Sequence, residues 1–168
     1  MLAVRPAVSA DLPALINAFG ERFYFEDRLA RRPQQGVLFA AFLDNVAVGA
    51  AFLRLMPAEE WELRERLRGV PILSHLQVRE NVRRQGVASA IMNTAEEYAW
   101  MRGRMRMALG VTPQNTAARR LYLDRGYVEW DFGLVNAMVV DYDETGRKQF
   151  SIERCQILVK ALRAPARV

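Results

Sequence analysis

The segment Val78–Met92 reads VRENVRRQGVASAIM. The stretch before it, Pro71–Val78 (PILSHLQV), is apolar enough to predict a buried strand. Beyond Gly86, the residues Ala88, Ile91, Met92, Ala95 and Ala99 recur at spacings of three and four, which predicts the apolar face of a helix. The chain thus leaves a sheet through Arg79, Arg83 and Arg84 and places its only local glycine at the mouth of a helix. The first turn of a helix has backbone N–H groups without an intrahelical acceptor, and the helix dipole adds partial positive charge there. Phosphate suits such a site. Gly86 lets the backbone approach an anion, Ala88 is small for the same reason, and the arginines add charge at the rim. The plainer reading is a helix cap with basic neighbours. Neither the Walker pattern nor Gly-x-Gly-x-x-Gly is present.

Further along, RMRMALGV (Arg104–Val111) predicts a strand, and NTAARRLYLDRGY (Asn115–Tyr127) a helix stopped by Gly126. Asn115 and Tyr122 are seven positions apart, two turns along one helix face, with Ala118 between them. That stripe offers an amide, a gap and a phenol to a long thin ligand. The alternative is that Asn115 caps the helix and Tyr122 belongs to the core.

The flanks complete a mixed pattern. SADLPALINAF (Ser9–Phe19) predicts a helix capped by Ser9 or Asp11, and GERFYFEDRLARRP (Gly20–Pro33) an irregular helix or loop. VLFAAFL and VAVGAAFLRLM, separated by Asp44-Asn45, predict two antiparallel strands joined by a tight turn. AEEWELRERLRG predicts a short helix closed by Gly69. NAMVVDY, a turn at DETG, and SIERCQILVKAL add strands at the end. The class is α/β, as one domain over residues 1–168 with no linker.

Composition agrees. The apolar share of 51% and charged share of 26% are those of a water-soluble globule. One cysteine, Cys155, and one histidine, His75, argue against an internal disulfide and a zinc site, so no metal is expected. No apolar run is long enough to span a membrane and no signal peptide is evident, so a cytoplasmic location is expected. The net charge of +5 points to an anionic partner. A nucleic acid is not expected, because no zinc-finger or RNP-like signature accompanies the arginines.

Two motifs together carry a family resemblance. Arg83-x-x-Gly86-x-Ala88 resembles the acetyl-CoA-binding signature of the GCN5-related N-acetyltransferases. Asn115-x-x-Ala118-x-x-Leu121-Tyr122-x-x-x-Gly126-Tyr127 matches each fixed position of that family's second signature, in the family's order. The resemblance is firm from about Pro71 to Tyr127. Two departures stand out: Glu80 where many relatives have Pro, and Arg84 where many have Gly.

The resemblance implies a mostly antiparallel sheet whose central parallel strands, LSHLQV and RMRMALG, splay around acetyl-CoA, with helices on both faces. It implies that the pantetheine arm pairs with backbone at Leu76, Gln77 and Val78. It further implies that the pyrophosphate sits on the N–H groups of Arg84, Gln85, Gly86, Val87, Ala88 and Ser89, with Arg83 binding the cofactor at the rim, and that Asn115 and Ala118 border the pantetheine. Tyr122 matches the family's general acid, which protonates the leaving thiolate.

The base stays open. Histidine is the residue type suited to proton transfer near neutrality, and His75 lies on the right strand, but strict alternation puts His75 and Gln77 on one face and Ser74, Leu76 and Val78 on the other. Water held by Ser74, or Glu26, Glu129 or Asp131, are rivals. Substrate contacts are expected from Tyr24, Phe25, Glu26, Asp27, Glu129, Trp130 and Asp131, whose aromatics and carboxylates suit a cationic amine. The expected activity is acetyl transfer from acetyl-CoA to a primary amine of a small molecule or peptide. The alternative is an acyl-CoA-binding module of the same fold that has lost its chemistry. A homodimer stays open.

Overall fold

In the computed structural model, residues 1–166 are described; the last two positions of the expected domain lie outside the described residues. The chain runs β1 (Leu2–Pro6), α1 (Leu12–Phe19), α2 (Arg22–Leu29), β2 (Gly36–Leu43), β3 (Val46–Arg54), α3 (Trp61–Arg66) and β4 (Ile72–Val78). It continues α4 (Val87–Met101), β5 (Arg106–Val111), α5 (Thr116–Asp124), β6 (Val128–Glu129), β7 (Val135–Tyr142) and β8 (Lys148–Ala161). The region expected as irregular after Gly20 is a regular helix, α2.

The β2–β3 hairpin turns at Asp44 and Asn45, both in left-handed backbone with φ of 49° and 67°. Two positive φ values in a two-residue loop match the right-handed twist of the strands, and Asp and Asn tolerate them. Both strands read as nearly unbroken apolar runs because helices cover both faces of the sheet. On one face, Leu15, Tyr24 and Phe25 of α1 and α2 pack on Leu38, Ala40, Ala50 and Phe52. On the other, α4 supplies Val87, Ile91, Met92, Ala95 and Ala99. Val87 takes the core place expected of Ala88, which is only half-buried. Gly49 lets α4 approach: a Cβ there would lie 2.8 Å from Ile91 Cδ1 and 3.0 Å from Val87 Cγ1.

The strand order is β1-β2-β3-β4-β5-β8-β6, with β7 on the first half of β8. Every pairing is antiparallel except β4–β5. That parallel contact is short: only Ile72↔Ala108 and Leu73↔Leu109 are in register. Beyond Leu73, β4 stays with β3 and β5 stays with β8, so a wedge opens between them. The divergence begins at a bulge, where both His75 and Leu76 stand opposite the single Ala51, and His75 takes φ 55°. A bulge bends its strand and increases the local twist.

Candidate active site

The bulge sets which residues of β4 see which side. Leu73, Leu76 and Val78 pack on the α4 face, while Tyr24 of α2 stacks on His75 at 4.1 Å between ring centroids. Strict alternation would have put Leu73 on the same face as His75. The inserted residue corrects that expectation and turns the imidazole toward α2. At the end of β4, the N–H of Arg79 donates to Val48 O on β3 at 2.9 Å. Backbone groups alternate sides along a strand, so those of Val78 and Leu76 point into the wedge. Arg83 Nε already donates to Val78 O at 3.2 Å, tying the following loop to the rim.

That loop passes through Arg84 (φ 62°) and Gly86 (φ 80°), the residue that opens α4. No side chain caps α4, and the first intrahelical bond runs from Ala90 N to Gly86 O. The N–H groups of Val87, Ala88 and Ser89 therefore point off the helix end without an intrahelical acceptor. A Cβ on Gly86 would meet nothing within 4 Å, so the approach to those donors is open. Arg83, Arg84 and Gln85 are exposed around it. Two arginines of α5 and its C-terminal end are engaged within the chain. Arg119 Nε donates to Glu129 at 2.6 Å, and Arg125 donates to Glu96 at 3.0 Å.

Across the wedge lies α5. Asn115 Oδ1 accepts from Ala118 N–H at 3.2 Å, so the side chain caps the helix while its amide NH₂ remains exposed. Ala118 is half-buried beside the core. Tyr122 is 8% exposed, and burial pushes its phenol above the ordinary range. It is a neutral donor at physiological pH.

On the α2 side, His75 Nε2 lies 2.7 Å from Glu21 Oε2. Burial would raise the Glu21 carboxyl, but the hydrogen bond and charge of His75, with Gln77 alongside, hold it below the usual carboxylate range. Glu21 itself is left-handed, with φ 51°. Strain at two non-glycine residues that meet through their side chains is typical of a working site. Glu21 and Tyr24 also line a cavity of ≈ 280 Å³, closed on its far side by the β7–β8 turn at Asp141–Glu144.

Of the residues expected at the acceptor, Tyr24 borders this cavity. Phe25 is wholly buried in the core, a correction of that expectation, while the neighbouring Tyr24 ring stacks on His75. Asp27 is bound by Arg28 and Arg31, and Glu26 is paired with Arg22 at 2.8 Å. Glu129 is held by Arg119, Asp131 is exposed, and Trp130 Nε1 donates to Gly133 O. None of these six lines the cavity. Ser74 Oγ reaches only Phe52 O, at 3.5 Å. Glu21, Asp141 and Tyr142 had no sequence signal: no motif marks them, and helix packing alone joins them.

The comparisons with known proteins follow this geometry. A sequence model described as the acetyltransferase (GNAT) family matches residues 5–127. No curated protein matches the chain. Among solved structures, a GNAT family acetyltransferase from Elizabethkingia anophelis with acetyl-CoA bound is similar with a TM-score of 0.64 at 15% identity, over 96% of this chain and 98% of that one. The PaiA N-acetyltransferase of Thermoplasma acidophilum in complex with coenzyme A gives 0.67 at 16%, over 96% and 99%. A probable acetyltransferase of Staphylococcus epidermidis gives 0.68 at 17%, over 96% and 99%. At such identities the likeness establishes the shared fold.

Proposed function

The chain belongs to the acetyltransferase (GNAT) family, and from that premise we propose that it transfers the acetyl group of acetyl-CoA to a primary amine. The observation that carries this reading is the wedge between β4 and β5, with an uncapped, glycine-opened helix end at its mouth. The residues present fit the thioester. Backbone N–H groups of Val87, Ala88 and Ser89 would take the pyrophosphate, with Arg83 and Arg84 adding charge. Leu76 and Val78 would pair with the pantetheine, and Asn115 would donate its free NH₂.

In the reaction the amine nitrogen attacks the thioester carbonyl, the C–N bond forms and the C–S bond breaks. The Val78 N–H, directed into the wedge, stabilises the carbonyl oxygen as it gains negative charge. Tyr122 gives its proton to the departing sulfur. His75 takes the proton that the attacking amine must lose. Glu21 orients the imidazole and balances the positive charge it acquires, the usual pairing of a base with an orienting carboxylate.

The test is thiol release from acetyl-CoA with a panel of amines, beside direct measurement of CoA binding. Amine-dependent thiol release is expected. Tight CoA binding with no turnover on any amine would make the chain a binding module that has lost its chemistry. No CoA binding at all would overturn the reading.

A further inference from the structure

Glu96 of α4 carries a carboxylate that the reaction above does not use, and its side chain is only 12% exposed. Three donors from separate parts of the chain converge on it. Arg125, just past α5, donates from Nη2 to Oε2 at 3.0 Å. The Tyr127 hydroxyl donates to Oε1 at 2.9 Å, and Lys160 Nζ of β8 donates to the same oxygen at 3.0 Å. Arg125 also donates to Asn93 Oδ1, one turn earlier on α4. A carboxylate so far out of water needs such partners, since an unmatched one would be costly.

The helix these partners belong to has little else to hold it. Of the nine residues of α5, only Tyr122 is buried. The backbone joins that residue to the Glu96 cluster: the N–H groups of Arg125 and Tyr127 both donate to Tyr122 O, at 3.1 Å and 3.0 Å. The rings of Tyr122 and Tyr127 lie 6.3 Å apart between centroids. Burial, with Glu96 beside it, pushes the Tyr127 phenol far above the ordinary range, so it stays a neutral donor. The Tyr122 hydroxyl makes no hydrogen bond among the described residues. Its direction is therefore set by where α5 lies. Glu96 stands on the same helix as the open donors at Val87–Ser89, about 14 Å further along its axis.

We propose that Glu96 is a positioning residue for the acid step: by gathering Arg125, Tyr127 and Lys160 it fixes α5 on α4 and so sets the Tyr122 phenol at the leaving sulfur. This rests on the acetyl-transfer reading above and on Tyr122 as its acid. The length of the cofactor fixes how far its sulfur lies from its phosphates, so the helix that takes the phosphates and the helix that carries the acid must keep one spacing. A proton passes to sulfur only within hydrogen-bond reach, and a displacement of about 1 Å costs much of the rate. Glu96 acts through α5 and not on the reacting atoms. An amide of the same shape could still accept from Tyr127, but it would leave Arg125 and Lys160 side by side without a counter-charge.

The test is a double-mutant cycle in the thiol-release assay, with the Kd of CoA measured beside it by calorimetric titration. Glu96→Gln is expected to lower kcat by about tenfold or more and to leave the Kd of CoA little changed. In a Tyr122→Phe background the same change is expected to have no further effect on kcat, because the proton it would misplace is already gone. A merely structural role would lower kcat alike in both backgrounds. Tyr127→Phe removes one of the three donors and keeps the ring, so it serves the same comparison should Glu96→Gln fail to fold. Its loss of kcat is expected to be smaller and again confined to chains that keep the Tyr122 hydroxyl. Equal losses in both backgrounds, or full kcat in the folded variants, would overturn this inference, as would undiminished turnover in Tyr122→Phe. Each of those results leaves the acetyl-transfer reading standing. A wild-type chain that released no thiol with any amine would overturn both.

Discussion

Glu21 and His75 are 54 positions apart, yet Oε2 and Nε2 meet at 2.7 Å, each projected from a left-handed backbone. The left-handed turn at Glu21 opens α2, and the one at His75 is the bulge of β4.

His75→Ala is expected to lower kcat by about 10²-fold or more, with the KM for acetyl-CoA unchanged, and added imidazole should restore part of the loss. Glu21→Gln should cost less, since the base survives and only its orientation is disturbed. Steady-state kinetics with varied amine separate the two. If His75→Ala kept full kcat, the base would have to be sought elsewhere.

The Glu21 carboxyl also makes stability depend on pH. Its folded pKa lies below the ordinary 4.5, so its stabilising contribution is fully present above that value and is lost as pH falls through the folded value. Urea melts of wild type and Glu21→Gln should differ at neutral pH and converge in acid. A gap that persisted or widened toward acid pH would show that the carboxylate is not held by His75.

Tyr122→Phe should preserve the fold and CoA affinity while lowering kcat by about 10²-fold. The residue sits in the core, but removing a hydroxyl leaves no cavity for a methyl group, so thermal stability should change little. Because burial raises this phenol, its activity as an acid should persist to a pH above that of an exposed tyrosine. Undiminished turnover in the variant would remove Tyr122 from the reaction.

Gly86→Glu should abolish CoA binding, by setting bulk and negative charge in front of the α4 donors. Gly86→Ala has room for its methyl but must hold φ 80°, at a cost of about 1–2 kcal/mol. It should therefore lose stability and keep measurable affinity. Calorimetric titration with CoA resolves the pair; normal CoA binding by Gly86→Glu would place the phosphates elsewhere.

Arg84→Gly should raise thermal stability by about 2–4 °C, as φ 62° costs arginine about 1 kcal/mol and glycine nothing. The same change should weaken CoA binding modestly by removing one charge from the rim. Differential scanning calorimetry would show the rise.

Local chemistry is legible in the chain before it folds. Gly86, at the start of a helix with apolar spacing, predicts an open first turn whatever surrounds it. The seven-residue step from Asn115 to Tyr122 fixes a shared face once the helix exists. Asp44-Asn45 between apolar runs predicts the hairpin for the same reason: these properties follow from backbone geometry over a few residues. The departures came where one residue changed the register. Alternation along PILSHLQV put Ser74 on the face of Leu76 and Val78, whereas Leu73 takes that face, because an inserted bulge residue cannot be read from apolar and polar pattern. Phe25 looked like a substrate contact beside Tyr24, but a helix turns neighbouring side chains about 100° apart, and Phe25 faces inward.

By itself, then, the sequence determined the strand–helix units, the uncapped helix end and the stripe on α5, since these depend on neighbours in the chain. Only the tertiary structure decided that β4 and β5 part after two paired residues, that Glu21 meets His75, and that the β7–β8 turn lines a cavity with Glu21 and Tyr24. Those relationships join positions tens of residues apart, and they exist only where packed helices and a bent strand hold them.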